Sequence, residues 1–575
     1  MVSSKTFSSL QFFTLFYLFT VAFASTEEAI ALLKWKATFK NQNNSLLASW
    51  TPSSNTCDHW YGVVCFNGRV NRLNITNSSV IGNLYAFPFS SLPFLENLNL
   101  SMNNFSGTIP PEISNLTNLV YLDLNSNQIS GTIPQQIGSL AKLQILRIFD
   151  NHINGTIPEE IGYLRSLTKL SLGRNFLSGS IPASLGNLKS LSFLLLYENQ
   201  LSSSIPEEIG YLKTLSILHL SNNSLNGSIP SSLGNLSNLF GLYLYNNYLS
   251  GSIPVSFGYL NNLFDLYLFN NHLSGSIPAS FGYLNNLSDL YLHNNQLSGS
   301  IPEEIGYLRN LQSLFLSDNN LIGKIPSFVC NLTSLEVLYM PRNNLKGKVP
   351  QCLGNISGLQ VLMMSHNNLN GEIPSSISNL TSLQILDLGR NNLEGAIPQC
   401  FGNISSLQVF DMQNNKLSGS LPTNFSIGSS LISLNLHGNE LEGEIPRSLA
   451  NCKKLQVLDL GDNHLNDTFP MWLGTLPDLR VLRLTSNKLH GPIRSSGAEI
   501  MFPDLRIIDL SNNAFSKYLP TSLFQHLKGM TTIDQTMKAP SSKGSRLFQM
   551  PRIRRHWRNG FGSSYVAAYD VGFDF

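Results

Sequence analysis

The chain has 575 residues, with 37 basic and 35 acidic side chains, 42% hydrophobic residues and six cysteines. No Lys/Arg stripe runs through its middle, which excludes a nucleic-acid surface. No apolar run of ~18 residues follows residue 24, so no membrane-spanning helix is expected. There is no glycine-rich loop followed by a "VAIK"-like lysine, no "HRD" and no "DFG", so nothing supports phosphoryl transfer, and no enzymatic activity is expected.

Residues 1–24 read as a signal peptide: Lys5 precedes an apolar run from Leu10 to Ala24, with small residues at Ala22 and Ala24. The export product then begins near Ser25, in an oxidising compartment. Residues 25–68 form a separate unit, with an amphipathic helix expected from Glu27 to Lys40 and Ile30, Leu33 and Trp35 on its apolar face. Cys57 and Cys65 follow, and a disulfide is favoured over two reduced thiols because the chain is exported.

Residues 69–535 are a repeat array. Asparagines recur every 24 residues from Asn103 to Asn487, giving seventeen in-phase units. Asn77 and Asn513 stand 26 residues outside the two ends and bring the count to about nineteen. In "LVYLDLNSNQISGTIP" leucines alternate with polar or aromatic residues, the pattern of a short strand with one buried face. The asparagine after the strand is expected to turn inward, where backbone groups must satisfy its amide. Glycines such as Gly107 and Gly131 permit the next bend, and each "G-x-I-P" proline turns the chain away from helix. No unit buries its leucines alone, so the coils must stack into a solenoid with a long parallel sheet inside. The helix of residues 25–68 would cover its open end.

Cys330 and Cys352 lie in adjacent coils at nearly equivalent phases and can bridge. Cys400 and Cys452 lie two coils apart, ~10 Å, beyond disulfide reach, and are expected to stay free. N-x-S/T sequons recur along the chain, among them those at Asn43, Asn74, Asn77, Asn104, Asn115, Asn154, Asn222, Asn226, Asn235, Asn286, Asn331, Asn355, Asn379, Asn403, Asn424 and Asn466, so a heavily glycosylated product is expected. The eleven histidines, among them His219, His293 and His366, have no metal-spaced partners and read as solvated surface. The paired carboxylates of "PEEIG", at Glu159, Glu207 and Glu303, read as outer surface rather than acid and base. Residues 536–575 hold seven basic and two acidic side chains with no leucine column, and are expected to be a disordered basic tail.

On the inner sheet, exposed positions should lie six, four, two and one residues before each asparagine. Aromatic residues cluster there in the central coils: Phe193, Tyr197, Tyr243, Tyr245, Tyr267, Phe269, Tyr291, His293, Phe315 and Tyr339. Asp265 and Asp289 sit beside these rings and would fix a basic or hydroxylated ligand group. This patch is the candidate contact surface, because exposed contiguous aromatics on a secreted protein are uncommon unless they meet a partner.

The unit "L-x-x-L-x-L-x-x-N-x-L-x-G-x-I-P" resembles the plant-specific class of leucine-rich repeat. The segment "EEAIALLKWKATFKNQNNSLLASW" followed by "CDHWYGVVC" resembles the N-terminal cap of plant receptor-like kinases and receptor-like proteins, and the match runs from Thr26 to about Leu523. The resemblance implies an α/β-type solenoid, a right-handed superhelix with a parallel β-sheet on its concave face. It implies a recognition ectodomain of the plant cell surface that binds a peptide or microbial elicitor in defence or development and signals through a co-receptor kinase, with no cofactor and no metal. Such families continue with further repeats, a second cysteine cap and a membrane helix, so this chain reads as an ectodomain cut short, whose co-receptor docking region is missing. It would be extracellular, in the apoplast, or at the plasma membrane if a longer form carries the helix. Two alternatives stand: a secreted inhibitor of a microbial wall-degrading enzyme, as in the polygalacturonase-inhibitor proteins, or a truncated receptor without independent function.

Overall fold

The structure is a computed structural model that describes residues 26–41, 44–493 and 501–516. The expected signal peptide, Asn43 and the tail from 536 to 575 lie outside the described residues.

Each coil opens with a three-residue strand such as Asp265–Tyr267, whose middle leucine points into the core while its neighbours point to the concave side. A tight turn carries the repeat asparagine. A second short strand follows, here His272–Gly275, and then a five-residue 3-10 turn, here Ala279–Tyr283, entered through Pro278. That stretch is too short for an α-helix to propagate, so the convex side closes its hydrogen bonds after three residues instead. Across the described residues, the only α-helical segments are 26–36 and Thr56–His59.

The concave strands form one sheet of twenty. The first, Val63–Phe66, runs antiparallel to Arg69–Asn74; the other nineteen are parallel and in strict register, as in Asp265↔Asp289, Leu266↔Leu290 and Tyr267↔Tyr291. One leucine-dominated core runs the length of the array, from Leu32 in the N-terminal helix to Leu505.

The asparagine ladder forms as the repeat implied. Asn271 donates from Nδ2 to the carbonyls of Leu244, Leu268 and Phe269 at 3.1, 3.1 and 3.2 Å, while its Oδ1 accepts from the Leu249 amide at 3.0 Å. Two of those partners belong to the preceding coil, so each asparagine ties its coil to the one before. The residue ahead of it takes left-handed backbone in nearly every coil, for example Asn270 at φ +54°. Gly275 and its equivalents lie near φ +75°, but Ser203 stands at that position with φ +67°.

Two expectations are corrected. Asn77 does not begin the ladder: it is exposed, and buried Ser78 occupies that place. There Ser78 and Val80 donate their amides to Asn103 Oδ1, and Asn103 Nδ2 donates to the Ile75 carbonyl. In the N-terminal helix the inward face is Glu28, Leu32 and Trp35, joined by Phe39 just beyond its end, whereas Ile30 is exposed and Leu33 only half-buried. A spacing of four and then three residues puts the three helical side chains on one face. Burial of Glu28 is compensated by Arg69 Nε and the Val70 amide, both at 2.8 Å from its carboxylate. Trp35 stacks on Phe105 and meets Phe39 and Phe87 edge-on, sealing the end of the leucine column.

Disulfides join Cys57 to Cys65 and Cys330 to Cys352, and Cys400 and Cys452 are free. Of the sequon asparagines that the structure describes, Asn74, Asn222 and Asn99, the last in an N-L-S triplet, are half-buried on the concave side and the others are exposed.

Candidate ligand-binding surface

The parallel register converts sequence positions into columns along the concave face. Residues four before each asparagine form one column: His219, Tyr243, Tyr267, Tyr291, Phe315, Tyr339, Met363. Residues two before form a second, in which Tyr197, Tyr245, Phe269 and His293 take part.

Within the columns the rings lie face to face across coils. Tyr245 and Phe269 are 4.5 Å apart with planes 7° apart, and Phe269 and His293 4.4 Å with 11°. Tyr267 and Tyr291 are 4.4 Å apart with 4°. Strand spacing of ~4.8 Å matches ring thickness, so neighbouring side chains stack as soon as two coils carry rings in the same place. Each ring therefore covers its neighbour's face.

This changes the expected exposure. Tyr243, Phe269 and Phe315 are buried, at 9%, 5% and 6% exposure. Tyr197, Phe193, Tyr245, Tyr267, Tyr291, His293 and Tyr339 are half-buried, presenting edges and hydroxyls to the concave space. Asp265 and Asp289, expected beside a ligand, are buried at 3%. Asp265 accepts the Tyr243 hydroxyl at 2.7 Å, so that carboxylate already serves an internal partner. Burial, reinforced by the Asp265 carboxylate, holds the Tyr243 and Tyr267 phenols well above their ordinary range, so both remain neutral hydroxyls.

His219 is likewise not a solvated side chain. It stacks on Tyr197 at 4.4 Å, lies 5.0 Å from Tyr243, and sits 2.7 Å from the Ser221 hydroxyl. Burial pushes it down to about 3, and His293 to about 4, so both are neutral near pH 7. At the N-terminal end of the stripe, the Lys169 ammonium lies 5.2 Å from the Phe193 ring centre. The Glu159, Glu207 and Glu303 side chains are exposed at the starts of the convex turns, as expected.

Sequence reasoning missed how far the stripe continues. Beyond Tyr339 it becomes aliphatic: Phe315, Val337, Val361, Met363, Ile385 and Val409 form an apolar cluster separate from the leucine core, with Tyr291 and Tyr339 packed against it. The signal was present, as a run of Val and Ile six residues before the repeat asparagines. Two polar ladders flank the strip. On one side Asn246, Asn270 and Asn294 each donate Nδ2 to the Oδ1 of the asparagine one coil earlier. On the other, Gln384 and Gln408 each donate Nε2 to the Oε1 of the glutamine one coil earlier, and Gln360 donates to the Glu336 carboxylate, all at 3.4 Å. The result is an apolar strip with polar margins, crossing eight coils from Tyr243 to Val409. Among the described residues no cluster of side chains could hold a metal ion, and no helix is long and apolar enough to cross a membrane.

A repeated strand with an inward asparagine, stacked into one sheet under an N-terminal helix, defines a solenoid recognition domain, and comparison places it. The family model "Leucine-rich repeat region" matches residues 72–204 and 278–545, "Leucine rich repeat" matches 213–273, and "Leucine rich repeat N-terminal domain" matches 25–66. The chain belongs to the leucine-rich repeat family, among the plant receptor ectodomains. The repeat match reaches past residue 536, into the stretch expected as a tail. Among solved structures it is similar to PEPR1 with AtPEP1 (35% identity, 89% of this chain and 75% of that one, TM-score 0.79). It is also similar to the plant peptide hormone receptor RGFR1 in complex with RGF2 (34%, 82% and 86%, 0.74). A third is the Arabidopsis receptor kinase HAESA in complex with the peptide hormone IDA and the co-receptor SERK1 (32%, 87% and 92%, 0.70). A curated relative, MDIS1-interacting receptor like kinase 2 of Arabidopsis thaliana, is 55% identical over 91 residues, a stretch covering 15% of this chain and 9% of that protein.

Proposed function

We propose that this chain is the ligand-recognition part of a plant cell-surface receptor, exported to the extracellular side with N-glycans on its exposed sequons, and that an extended peptide lies across the strip from Tyr243 to Val409. The observation that carries this reading is the strip itself: a contiguous apolar cluster on the concave side, with half-buried rings and aliphatic members only 2–7% exposed, bounded by polar ladders, in a fold whose solved relatives include receptors described with peptide ligands. Eight coils at ~4.8 Å span about 38 Å, which an extended peptide covers with about eleven residues. Ring edges, tyrosine hydroxyls and flanking amides then supply hydrogen bonds for its backbone, while the aliphatic end takes apolar side chains. A co-receptor kinase is the partner through which such a receptor signals.

The test pans a displayed library of random twelve-residue peptides against the full chain and measures a selected peptide on wild type and on Tyr267→Ala/Tyr291→Ala. Buried aromatic anchors typically lose ~2 kcal/mol or more on truncation, so affinity should fall more than tenfold. Full affinity in the double variant, with the fold intact by circular dichroism, would refute the reading.

A further inference from the structure

Where the column of rings ends, the same position carries acids. After Met363 come Asp387 and Asp411, in adjacent strands that pair Ile385↔Val409, Leu386↔Phe410 and Asp387↔Asp411. Directly opposed side chains on neighbouring strands sit ~5 Å apart at Cβ, where like charges destabilise. Both carboxyls are buried, at 7% and 5% exposure. Both reach toward Gly389, two residues beyond Asp387: a Cβ placed there would lie 2.9 Å from Asp411 Oδ1 and 3.3 Å from Asp387 Oδ1.

The hydrogen bonds treat the two acids differently. Asp411 is surrounded by amide donors: the Gln413 N–H reaches Oδ1 at 2.9 Å, and Gln413 Nε2 and Asn435 Nδ2 reach Oδ2 at 3.1 and 2.9 Å. The Asn435 amide is held in that orientation because its Oδ1 accepts from the His437 N–H. None of these donors can accept a proton from a carboxylic acid. Asp387 Oδ1 takes the Gly389 N–H at 3.0 Å, but its Oδ2 lies 2.6 Å from the Ser365 hydroxyl, which can donate or accept.

We infer that Asp387 and Asp411 hold one proton between them near neutral pH, carried on Asp387 Oδ2 toward Ser365 while Asp411 keeps the charge, so that this strand pair is a proton-sensitive joint at the end of the concave strip. Around the pair are Ser365, bonded to Asp387, Gln413 and Asn435, bonded to Asp411, and Arg390 and the Tyr339 phenol, which act on Asp387 through charge. His437 is engaged with Asp459 and Asp462 instead, at 3.5 and 3.2 Å. Burial raises both carboxyls above the ordinary range, and for Asp411 the neighbouring Asp387 adds to it. Such a pair titrates as one unit, and the hydrogen bonds decide where the proton rests. The sign follows: with folded values above the unfolded ones, the folded chain binds more protons, so stability contributed at low pH is lost as pH rises through the folded titration.

The experiment is a series of thermal midpoints of the full chain between pH 5 and 8.5, for wild type, Asp387→Asn and Asp411→Asn. The wild-type midpoint should fall across this range by at least about 2 °C more than that of Asp387→Asn, whose amide stays neutral and can still donate to Ser365. Asp411→Asn should already be lowered at pH 5, because it turns an acceptor toward three donors into a partial donor. A flat Asp411→Asn profile with a sloping Asp387→Asn profile would move the proton to the other residue, and equal slopes in wild type and Asp387→Asn would overturn the inference. Hydrogen exchange on wild type provides the reading that needs no variant. Protection in Ile385–Asp387 and Val409–Asp411, corrected for intrinsic exchange, should drop with pH relative to Lys169–Ser171, and unchanged relative protection refutes the joint.

Discussion

Asn271→Ala probes what holds one coil to the next. The substitution leaves the Leu249 amide and the carbonyls of Leu244, Leu268 and Phe269 without the partner they have now, all in the buried interior. The Leu249 amide is left unsatisfied, at ~1–3 kcal/mol, while the three carbonyls keep Asn247 Nδ2, Asn295 Nδ2 and the Asn246 N–H and each lose one of two hydrogen bonds, so the total is about 3 kcal/mol. Added to this is the left-handed conformation of Asn270, which the ladder holds in place. In a solenoid stability is a sum over coils and their interfaces, so the damage should concentrate at the seam between the coils of Leu244 and Leu268. Hydrogen exchange followed by mass spectrometry should therefore show lost protection within residues 241–275, ahead of the rest of the array, with urea unfolding divided into two steps. Asn294→Ala is the control. Its Nδ2 donates to Asn270 Oδ1 at the rim, in an exposed setting, and alanine at its left-handed φ of +52° adds a backbone cost, so stability should fall by about 1 kcal/mol. If Asn271→Ala unfolds within about 1 kcal/mol of wild type, or no differently from Asn294→Ala, the inward asparagines do not carry the stacking and the reasoning fails.

Ser203→Gly should stabilise the chain by about 1 kcal/mol, because a serine at φ +67° occupies a bend that other coils give to glycine; a rise in urea midpoint at unchanged slope is the check. Trp35→Ala should lose about 3–5 kcal/mol and loosen the N-terminal coils selectively, since the ring fills the space among Phe39, Phe87 and Phe105; retained protection at Leu73 and Leu98 would contradict that. Cys330→Ser should lower the thermal midpoint only without reductant, by the equivalent of about 2–3 kcal/mol for a short closed loop. Unreduced peptide mapping should find alkylatable thiols at Cys400 and Cys452. A uniform drop with and without reductant would point to packing rather than the disulfide.

The sequence by itself determined the period, the leucine column, the ladder of asparagines and the end helix, because each follows from a local rule repeated many times. A strand with alternating leucines, an amide that must be satisfied and a glycine at a positive φ can be read within one coil. Phase errors arose where the repeat was broken: Ser78 does the work assigned to Asn77, and the face of the first helix turned toward Glu28 because Arg69, 41 residues away, compensates its charge. The candidate surface was legible only as a set of positions. Which of its rings are accessible, why Asp265 answers to Tyr243, and how Val337, Ile385 and Val409 extend the strip depend on stacking between coils at strand spacing. So does the meeting of Asp387 with Asp411, 24 residues apart in the chain and opposed across a strand pair. Those are relations between side chains that no single coil contains, and only the register of the assembled sheet decides them.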